Sequence, residues 1–465
     1  MRSHNFILLA IVVGAVGYLL LRAIGNDYLF FAGYTVLQFI VLATAWNILG
    51  GYCGYVNFGS AAFFAVGAYS TVCLHKLAGH LDRFFPEPIA TLLGAVFPLS
   101  VPSLIVIGGV MSGLIGLGTG YLTLRLRGAF FAIATLALAV VLQTLIVNWD
   151  YVGGSRGAYI IRPQSVPLLG SYIEYLFLVM LALSVIAIAA ARAIERSRLG
   201  YGFATIRDDE LAAEACGVPT LRLKLIATTI SGALMGMSGA PFPYYIGYLE
   251  PASAFGLAYA VNSIAMPMIG GTTTWIGPLL GAILLGVIQQ VATVTISSAV
   301  NLLIVGFLLI GFVIMAPNGI VGLVREFFQT AAPDGVNRRA LVLLVLASYS
   351  FLVGLGGVVL GLSAAMAGHD AILVGLGVFA IVVSLAYLAS AYGLLKLESW
   401  GPLLLTVTLA VSIPLSFIYI WFDSSPQNLI AQVITIVIDI GGIWYLQREE
   451  ITGLYRSMSE QHAAP

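Results

Sequence analysis

Three consecutive acids, Asp208, Asp209 and Glu210, are the most distinctive polar residues of the chain, and they stand between two long apolar runs. Clustered carboxylates can act as a general acid and base, and they are also stabilised at the positive N-terminal end of a helix. Catalysis would need further parts, but the sequence has no carboxylate pair on one apolar helix face, no HExxH, no Walker-type phosphate loop and no nucleophile elbow. We therefore interpret the acids as part of a surface helix, and we expect neither an enzyme nor a metal site.

The residues around these acids predict one short helix. Thr205, with Asp208 three residues later, is similar to a capping box, and Gly217 followed by Pro219 ends the helix. The residues between them favour helix, so we expect about three turns. The predicted helix and its ends comprise Thr205, Arg207, Asp208, Asp209, Glu210, Leu211, Ala212, Ala213, Glu214, Ala215 and Gly217.

The charge of this helix indicates what it contacts. A short helix between two membrane spans can lie on the lipid surface, but such helices are rich in Lys and Arg, which anionic lipid attracts. Residues 208–214 contain four acids and no base. A docking surface for a protein partner therefore fits better than a lipid-binding helix.

Glycines occur in pairs and at short spacing near the ends of several apolar runs. Membrane helices use small residues to pack closely, and we favour this interpretation; the alternative is that the glycines break helices beside a solute pathway. The candidates for a pathway or a helix break are Gly50, Gly51, Gly54, Gly59, Gly270 and Gly271.

The composition is that of a membrane protein. Hydrophobic residues make up 60% of the 465 residues and charged residues 9%, against about 25% charged residues in a soluble domain. The 20 bases are balanced by 20 acids and form no basic stripe, which excludes nucleic-acid binding. The three cysteines have no metal-ligand spacing. The surroundings of this chain are therefore the lipid bilayer.

Apolar runs of about 20 residues, long enough to cross a bilayer as helices, recur along the whole chain. We predict an all-α polytopic membrane protein with about ten spans in residues 1–330, a polar linker at 331–339 and four additional transmembrane helices in 340–465. The tenth span is expected at residues 301–316, and the cytoplasmic loop near 192–224. Lys and Arg are concentrated in alternate loops, which predicts that both termini are cytoplasmic.

Ionisable residues deep inside spans are typical of ion-coupled carriers. The first ten runs contain none well inside a helix, and the last run contains Asp439. We interpret Asp439 as an acid near a helix end that reaches interfacial water, with a proton relay as the alternative. A secondary, ion-coupled carrier for small amphipathic solutes therefore stays open as an alternative function.

Three segments carry a family resemblance. They are NILGGYCGYVNFGSAAFFAVGAYS at residues 47–70, LTLRLRGAFFAIATLALAVVLQTLIVNWDYVGGSRG at 122–157 and IRDDELAAEACGV at 206–218. In this order they resemble the permease subunits of branched-chain amino-acid ABC importers, specifically the longer of the two paired permease types. The third segment is similar to the cytoplasmic loop that docks into a groove of the ATPase subunit. The four C-terminal spans have no counterpart in this resemblance.

The resemblance implies alternating access powered by separate ATPase subunits. This chain would then bind no cofactor itself, with ATP and Mg held on partner subunits. The implied partners are a second permease subunit in a heterodimer, two ATP-binding subunits and an extracytoplasmic solute-binding protein, in the plasma (inner) membrane of a prokaryote. The implied substrates are branched-chain or other apolar amino acids; an ABC permease for short amides or urea is the alternative.

Overall fold

The structure of the chain is a computed structural model that describes residues 3–79, 81, 86, 87, 89, 94, 97–123, 126–161, 170–295, 306–312, 314, 316–331, 338–367, 371–422, 426–448, 451 and 455. Helices dominate these residues. Apolar runs form helices because, without water, each backbone N–H and C=O must find its partner within the segment.

The helices of the N-terminal half run in this order: α1 Ser3–Ile24, α2 Asp27–Gly50, α3 Ser60–Ala78, α4 Val101–Thr123, α5 Ala129–Val147, α6 Tyr172–Glu195, α7 Arg198–Asp208, α8 Glu210–Ala215 and α9 Thr220–Gly239. Two short 3-10 turns, Asp150–Val152 and Gly154–Arg156, follow α5. Strands β1 (Ala158–Tyr159) and β2 (Tyr248–Leu249) then pair antiparallel, with Ala158 opposite Leu249.

The remaining helices are α10 Phe242–Ile246, α11 Pro251–Ala254, α12 Leu257–Gly270, α13 Ile276–Thr295, α14 Gly319–Ala331, α15 Arg338–Ala367, α16 Ala371–Leu395, α17 Trp400–Phe422 and α18 Pro426–Leu446. Among the described residues, 11 helices are long and apolar enough to cross a membrane, by length and composition. Two further apolar helices, Leu8–Ile24 and Gln432–Leu446, are shorter. The all-α polytopic fold class is confirmed, whereas the span predicted at residues 301–316 lies partly outside the described residues.

The chain divides into two compact units. The first consists of Met1–Val287, Val305–Val313 and Asn318–Ile320. Helix α9 packs there against α2, α3 and α4, and α2 also packs against α6 and α12. Helix α9 thus contacts several spans of this unit at once, which matters for the site described below.

Small residues bring these helices unusually close. A Cβ at Gly67 would collide with the carbonyl of Gly236, and a Cβ at Gly236 with the side chain of Ser112. The Ser112 hydroxyl donates to the carbonyls of Phe63 at 3.0 Å and Gly232 at 2.8 Å, which ties α4 to α3 and α9. Close backbone approach through glycine is how membrane helices gain packing contacts when lipid supplies no hydrophobic drive.

The second unit consists of Ile288–Ile304, Ile314–Pro317 and Val321–Pro465. Its four long helices pack in sequence, α15 against α16, α16 against α17 and α17 against α18. Its own apolar core includes the fully buried Leu343, Leu394, Leu405 and Leu409. Residues 332–337, most of the predicted linker, lie outside the described residues, so the boundary stays a prediction.

Asp439 does not reach interfacial water, and that interpretation is wrong. Its residue is 0% exposed, and its Oδ1 accepts a hydrogen bond from the Tyr349 hydroxyl at 3.0 Å. The acid lies within α18 and not at its end. Short aspartate side chains cannot extend from such a position to water as lysine and arginine do.

Candidate functional site

The acidic stretch belongs to two consecutive helices, α7 and α8, and the predicted single helix of about three turns is wrong. Thr205 lies inside α7, where its hydroxyl donates to the Gly202 carbonyl at 2.9 Å, so it caps nothing. Asp209 has an extended backbone, and its carboxylate accepts a hydrogen bond from the Ala212 amide at 3.0 Å. Aspartate is as good an N-cap as serine or threonine. Asp209 therefore ends α7 and starts α8, a helix of six residues.

Helix α7 is fixed at both its start and its buried face. The Ser197 hydroxyl caps it by accepting a hydrogen bond from the Leu199 amide at 3.1 Å. Phe203 and Ile206 are 0% and 3% exposed. Burying such side chains stabilises the folded state by roughly 1.5–3 kcal/mol each, so α7 is a fixed base for the loop that follows it.

The predicted loop residues lie mostly at the surface. Leu211 is 64% exposed, whereas Ala213 is buried. Gly217 follows α8 with a φ of +82°, in the left-handed region that favours glycine. The other exposed members of the predicted set are Thr205, Arg207, Asp208, Asp209, Ala212, Glu214 and Ala215. An exposed leucine among acids forms a surface that a basic, partly apolar groove could contact.

Glu210 points in the opposite direction, into a buried ionic cluster. Lys224, near the start of α9, places its Nζ 2.7 Å from Glu210 Oε1 and donates to the Tyr55 hydroxyl at 3.1 Å. The Tyr55 hydroxyl in turn donates to Glu210 Oε2. The side chains of Lys224 and Glu210 are 4% and 12% exposed. We call Glu210, Lys224 and Tyr55 the coupling cluster, because it joins α8 to α9 and to the loop before α3.

A second set of contacts holds the far end of α8. Arg127, in the segment before α5, places its Nη2 3.1 Å from Glu214 Oε2 and its Nε 3.6 Å from Glu210 Oε1. The Thr220 hydroxyl, at the start of α9, donates to Glu214 Oε1 at 2.8 Å. Both glutamates of α8 are thus bound by residues from outside it. These contacts join α8 to the segment before α5 and to the start of α9.

The electrostatics favour the charged form of Glu210. Burial by itself opposes ionisation of this carboxyl, but the hydrogen bonds from Lys224 and Tyr55 and the charges of Lys224 and Arg127 outweigh it, and its pKa lies below the ordinary value. The pKa of Tyr55 is raised above its ordinary value by burial and by the hydrogen bond to Glu210. The cluster is therefore a salt bridge with a neutral phenol at neutral pH.

The candidate glycines Gly50, Gly51, Gly54 and Gly59 surround the loop between α2 and α3. A Cβ at Gly51 would collide with the Asn47 side chain and the Thr272 carbonyl, and one at Gly50 with the Trp46 ring. The structure thus places Gly51 beside the residue that follows the second glycine pair. These contacts require the absence of a side chain, whether or not solute passes nearby.

Gly54 and Gly59 serve the same loop in different ways. Gly54 has a φ of +79°, and a Cβ there would lie 3.0 Å from Arg207 Cγ on α7. A Cβ at Gly59 would lie 2.9 Å from the Thr135 carbonyl of α5. The loop that carries Tyr55 is therefore pressed against both α7 and α5.

Gly270 and Gly271 end α12 and meet the next span. A Cβ at Gly270 would collide with the Gly277 carbonyl, and Gly271 has a φ of +118°. The turn that follows is held by Glu195, whose Oε2 accepts hydrogen bonds from the Trp275 amide at 2.7 Å and from the Tyr52 hydroxyl at 3.2 Å. One carboxylate at the end of α6 thus joins both glycine-rich segments.

A pocket of about 520 Å³ opens beside the coupling cluster. Tyr55 and Glu210 line it together with Cys53, Arg207 and Ala132. Its walls come from the loop before α3, from α5 and from the end of α7. Among the described residues, no group of three or more His, Cys, Asp or Glu is placed to hold a metal ion.

Sequence reasoning missed Lys224, Tyr55 and Arg127. Lys224 reads as one of several bases flanking the cytoplasmic loop, and Tyr55 as one aromatic in a glycine-rich segment. The one available signal is that a lysine stands a few residues inside the next apolar run, where a charge needs a partner. The acids predicted to dock, by contrast, fall into two groups, with Asp208 at the surface and Glu210 in the cluster.

Comparison with known proteins places this geometry in context. Residues 28–313 match the family described as branched-chain amino acid transport system / permease component. The chain is 27% identical over 312 residues to the high-affinity branched-chain amino acid transport system permease protein LivM of Escherichia coli, covering 62% of this chain and 68% of that protein. It is 26% identical over 363 residues to LivM of Salmonella typhimurium, covering 73% and 80%.

A more distant relative is the autoinducer 2 import system permease protein LsrC of Yersinia enterocolitica, 24% identical over 240 residues, with 49% of this chain and 63% of that protein covered. No solved structure matches the chain. The family match includes α2 to α13, and with them the coupling cluster, Gly51 and Gly271. The chain belongs to the family of branched-chain amino acid transport system permease components.

Proposed function

We propose that the chain is the membrane permease subunit of an ATP-driven importer of branched-chain or other apolar amino acids, and that α8 receives the movement of an ATPase subunit. The observation that carries the proposal is the coupling cluster. One face of α8 is exposed, whereas its Glu210 is bound to Lys224 at the start of α9.

The cluster offers a direct connection from the surface to the spans. A displacement of α8 acts on α9 through Lys224 and Thr220, and on α3 through Tyr55 and its loop. Helix α9 packs against α2, α3 and α4, so movement at its start reaches much of the bundle. Alternating access needs such a connection, because binding energy spent outside the membrane must change the packing of the spans.

The energy would come from partner subunits. The sequence has no phosphate-binding loop, so ATP and Mg are assigned to two ATP-binding subunits. The remaining partners proposed are a second, different permease subunit and an extracytoplasmic solute-binding protein. The chain would lie in the inner membrane of a prokaryote with both termini cytoplasmic, as the distribution of Lys and Arg favours.

The family match ends at residue 313, before the four long helices of the second unit. We propose that residues 340–465 form an accessory module that the import reaction does not need. A chain stopped near Asp334 should still insert, assemble and transport. Loss of transport at an unchanged protein level would show that the module takes part in import.

Substrate class is tested by competition. In vesicles containing the complete importer, uptake of labelled leucine should be reduced by unlabelled isoleucine and valine, and not by acetamide or urea. Competition by the amides and not by the amino acids would replace the proposed substrate class and leave the permease assignment intact.

A further inference from the structure

The second unit contains a buried acid without a basic partner. Asp439 of α18 is 0% exposed, and within the described part of the chain no Lys, Arg or His forms an ion pair with it. Removing an ionised carboxylate from water is very unfavourable unless a cation or several donors compensate it. An acid in this position needs a different explanation from a structural salt bridge.

Each of the other three long helices contributes one polar group near this acid. Tyr349 of α15 donates to Oδ1 at 3.0 Å. The Ser412 hydroxyl of α17 interacts with both the Asp439 carboxyl and the phenol of Tyr387 on α16. The four residues come from α15, α16, α17 and α18, so the acid lies where all four helices converge.

Two oxygens of this group lack partners. Asp439 Oδ2 and the Tyr387 hydroxyl are buried and have no hydrogen bond of ordinary geometry within the described residues. Buried polar atoms nearly always form hydrogen bonds. Two neighbouring oxygens without one therefore indicate a bound group that the side chains alone do not supply. A carboxylate with one clear hydroxyl donor and one unbonded oxygen would be poorly stabilised as an anion.

A proton bound to Asp439 accounts for the two unbonded oxygens without any further ligand. It neutralises the carboxyl and turns Oδ2 into a hydroxyl, which can donate to the oxygen of Ser412 or Tyr387 after a small rotation. A hard metal cation takes about six oxygen ligands, more than these four side chains offer, and helical carbonyls are already bonded within α18. The titratable groups that face Asp439 are Tyr349 and Tyr387, both neutral phenols.

We propose that the four-helix unit contains a proton-binding site at Asp439, held as a neutral acid by Tyr349, Tyr387 and Ser412. Loss of the proton leaves an unpaired charge where four helices meet, so the packing of this unit depends on proton occupancy. The site is independent of the import function proposed above.

Infrared difference spectroscopy of the full chain in lipid tests the site. The spectrum of the wild type minus Asp439→Asn at neutral pH should contain the C=O band of a protonated carboxylic acid, shifted in D2O. Tyr349→Phe, which keeps the acid and removes one donor, should shift this band without abolishing it. If Asp439→Asn does not fold, the Tyr349→Phe difference spectrum alone still reports whether a carboxylic acid or a carboxylate is present.

Carboxylate stretching bands in place of the C=O band would overturn the proposal. Bands that change between sodium and choline buffers would overturn it as well, because they would identify a sodium site. A Tm of wild type that falls as pH rises, with a Tm of Asp439→Asn that does not, is the further result expected, since asparagine mimics the neutral acid.

Discussion

Lys224 Nζ lies 2.7 Å from Glu210 Oε1, and the two side chains, which belong to different helices, are 4% and 12% exposed. This ion pair lies between a short surface helix and the start of a central span. Because both charged groups are largely buried, each is stabilised in the folded chain by the opposite charge of the other.

Removing one charge should be far worse than removing both. Glu210→Gln removes the carboxylate that pairs with the buried Lys224 ammonium, and we expect the free energy of unfolding to fall by about 3 kcal/mol. Lys224→Met added to Glu210→Gln should restore much of that loss. Chemical unfolding of the four proteins of this double-mutant cycle in detergent measures the coupling. Asp208→Asn is the matched control, since Asp208 forms an ion pair with the adjacent Arg207 at the surface, and a change within about 0.5 kcal/mol is expected. Equal losses from Glu210→Gln and Asp208→Asn would contradict the buried pairing.

The same pair should weaken in acid. The pKa of Glu210 is lower in the folded chain than its ordinary value of 4.5, so its stabilising effect is fully present above that ordinary value. The effect is lost as pH falls through the lower folded pKa, where the carboxylate gains a proton. Unfolding followed from pH 7 down to pH 3 should show this loss in the wild type and a smaller one in Glu210→Gln. Parallel pH profiles would show that Glu210 contributes nothing to the dependence.

Gly217 tests the end of the surface helix through backbone strain alone. A Cβ built on it meets no heavy atom within 4 Å, but its φ is +82°. Gly217→Val should cost about 1–2 kcal/mol locally and reduce ATPase activity coupled to transport several-fold, at an unchanged protein level. Gly217→Asn, which tolerates this conformation, is the control and should stay near wild type. Full coupled activity of the valine variant would show that the geometry after α8 is not needed.

Substitution of Gly51 distinguishes the two interpretations of this glycine, close helix packing and a place in the solute pathway. A methyl group there collides with Asn47 and the Thr272 carbonyl, so Gly51→Ala should lower stability by about 1–3 kcal/mol. Gly17→Ala in α1, where no heavy atom lies within 4 Å of the added carbon, should leave stability unchanged or slightly higher. A Gly51→Ala protein of normal stability that no longer transports would favour the pathway interpretation of this glycine.

The spans were predictable from sequence because a lipid environment forces long apolar runs into helices, and 11 of the described helices are long and apolar enough to cross a membrane. The boundary between α7 and α8 at Asp209 was not predictable. Thr205 and Asp208 have the spacing of a capping box, and no apolar periodicity marks the true start of α7 after Ser197. The partners of Glu210 were also out of reach, since Tyr55 is 155 residues away in the chain. Residues that meet only through packing leave no local pattern, and the burial of Asp439 against Tyr349 is another case.

The central claim is that partner ATPases drive this permease through α8, and reconstituted uptake tests it most directly. Vesicles containing the chain, its partner permease and ATPase subunits, supplied with the binding protein outside and ATP inside, should accumulate leucine. Accumulation should stop without ATP, persist when ionophores collapse the proton and sodium gradients, and fall strongly in Glu210→Gln but not in Gly17→Ala, a change in α1 where the added carbon meets no heavy atom within 4 Å. Leucine uptake by this chain alone, driven by a proton gradient in the absence of ATP, would contradict the account.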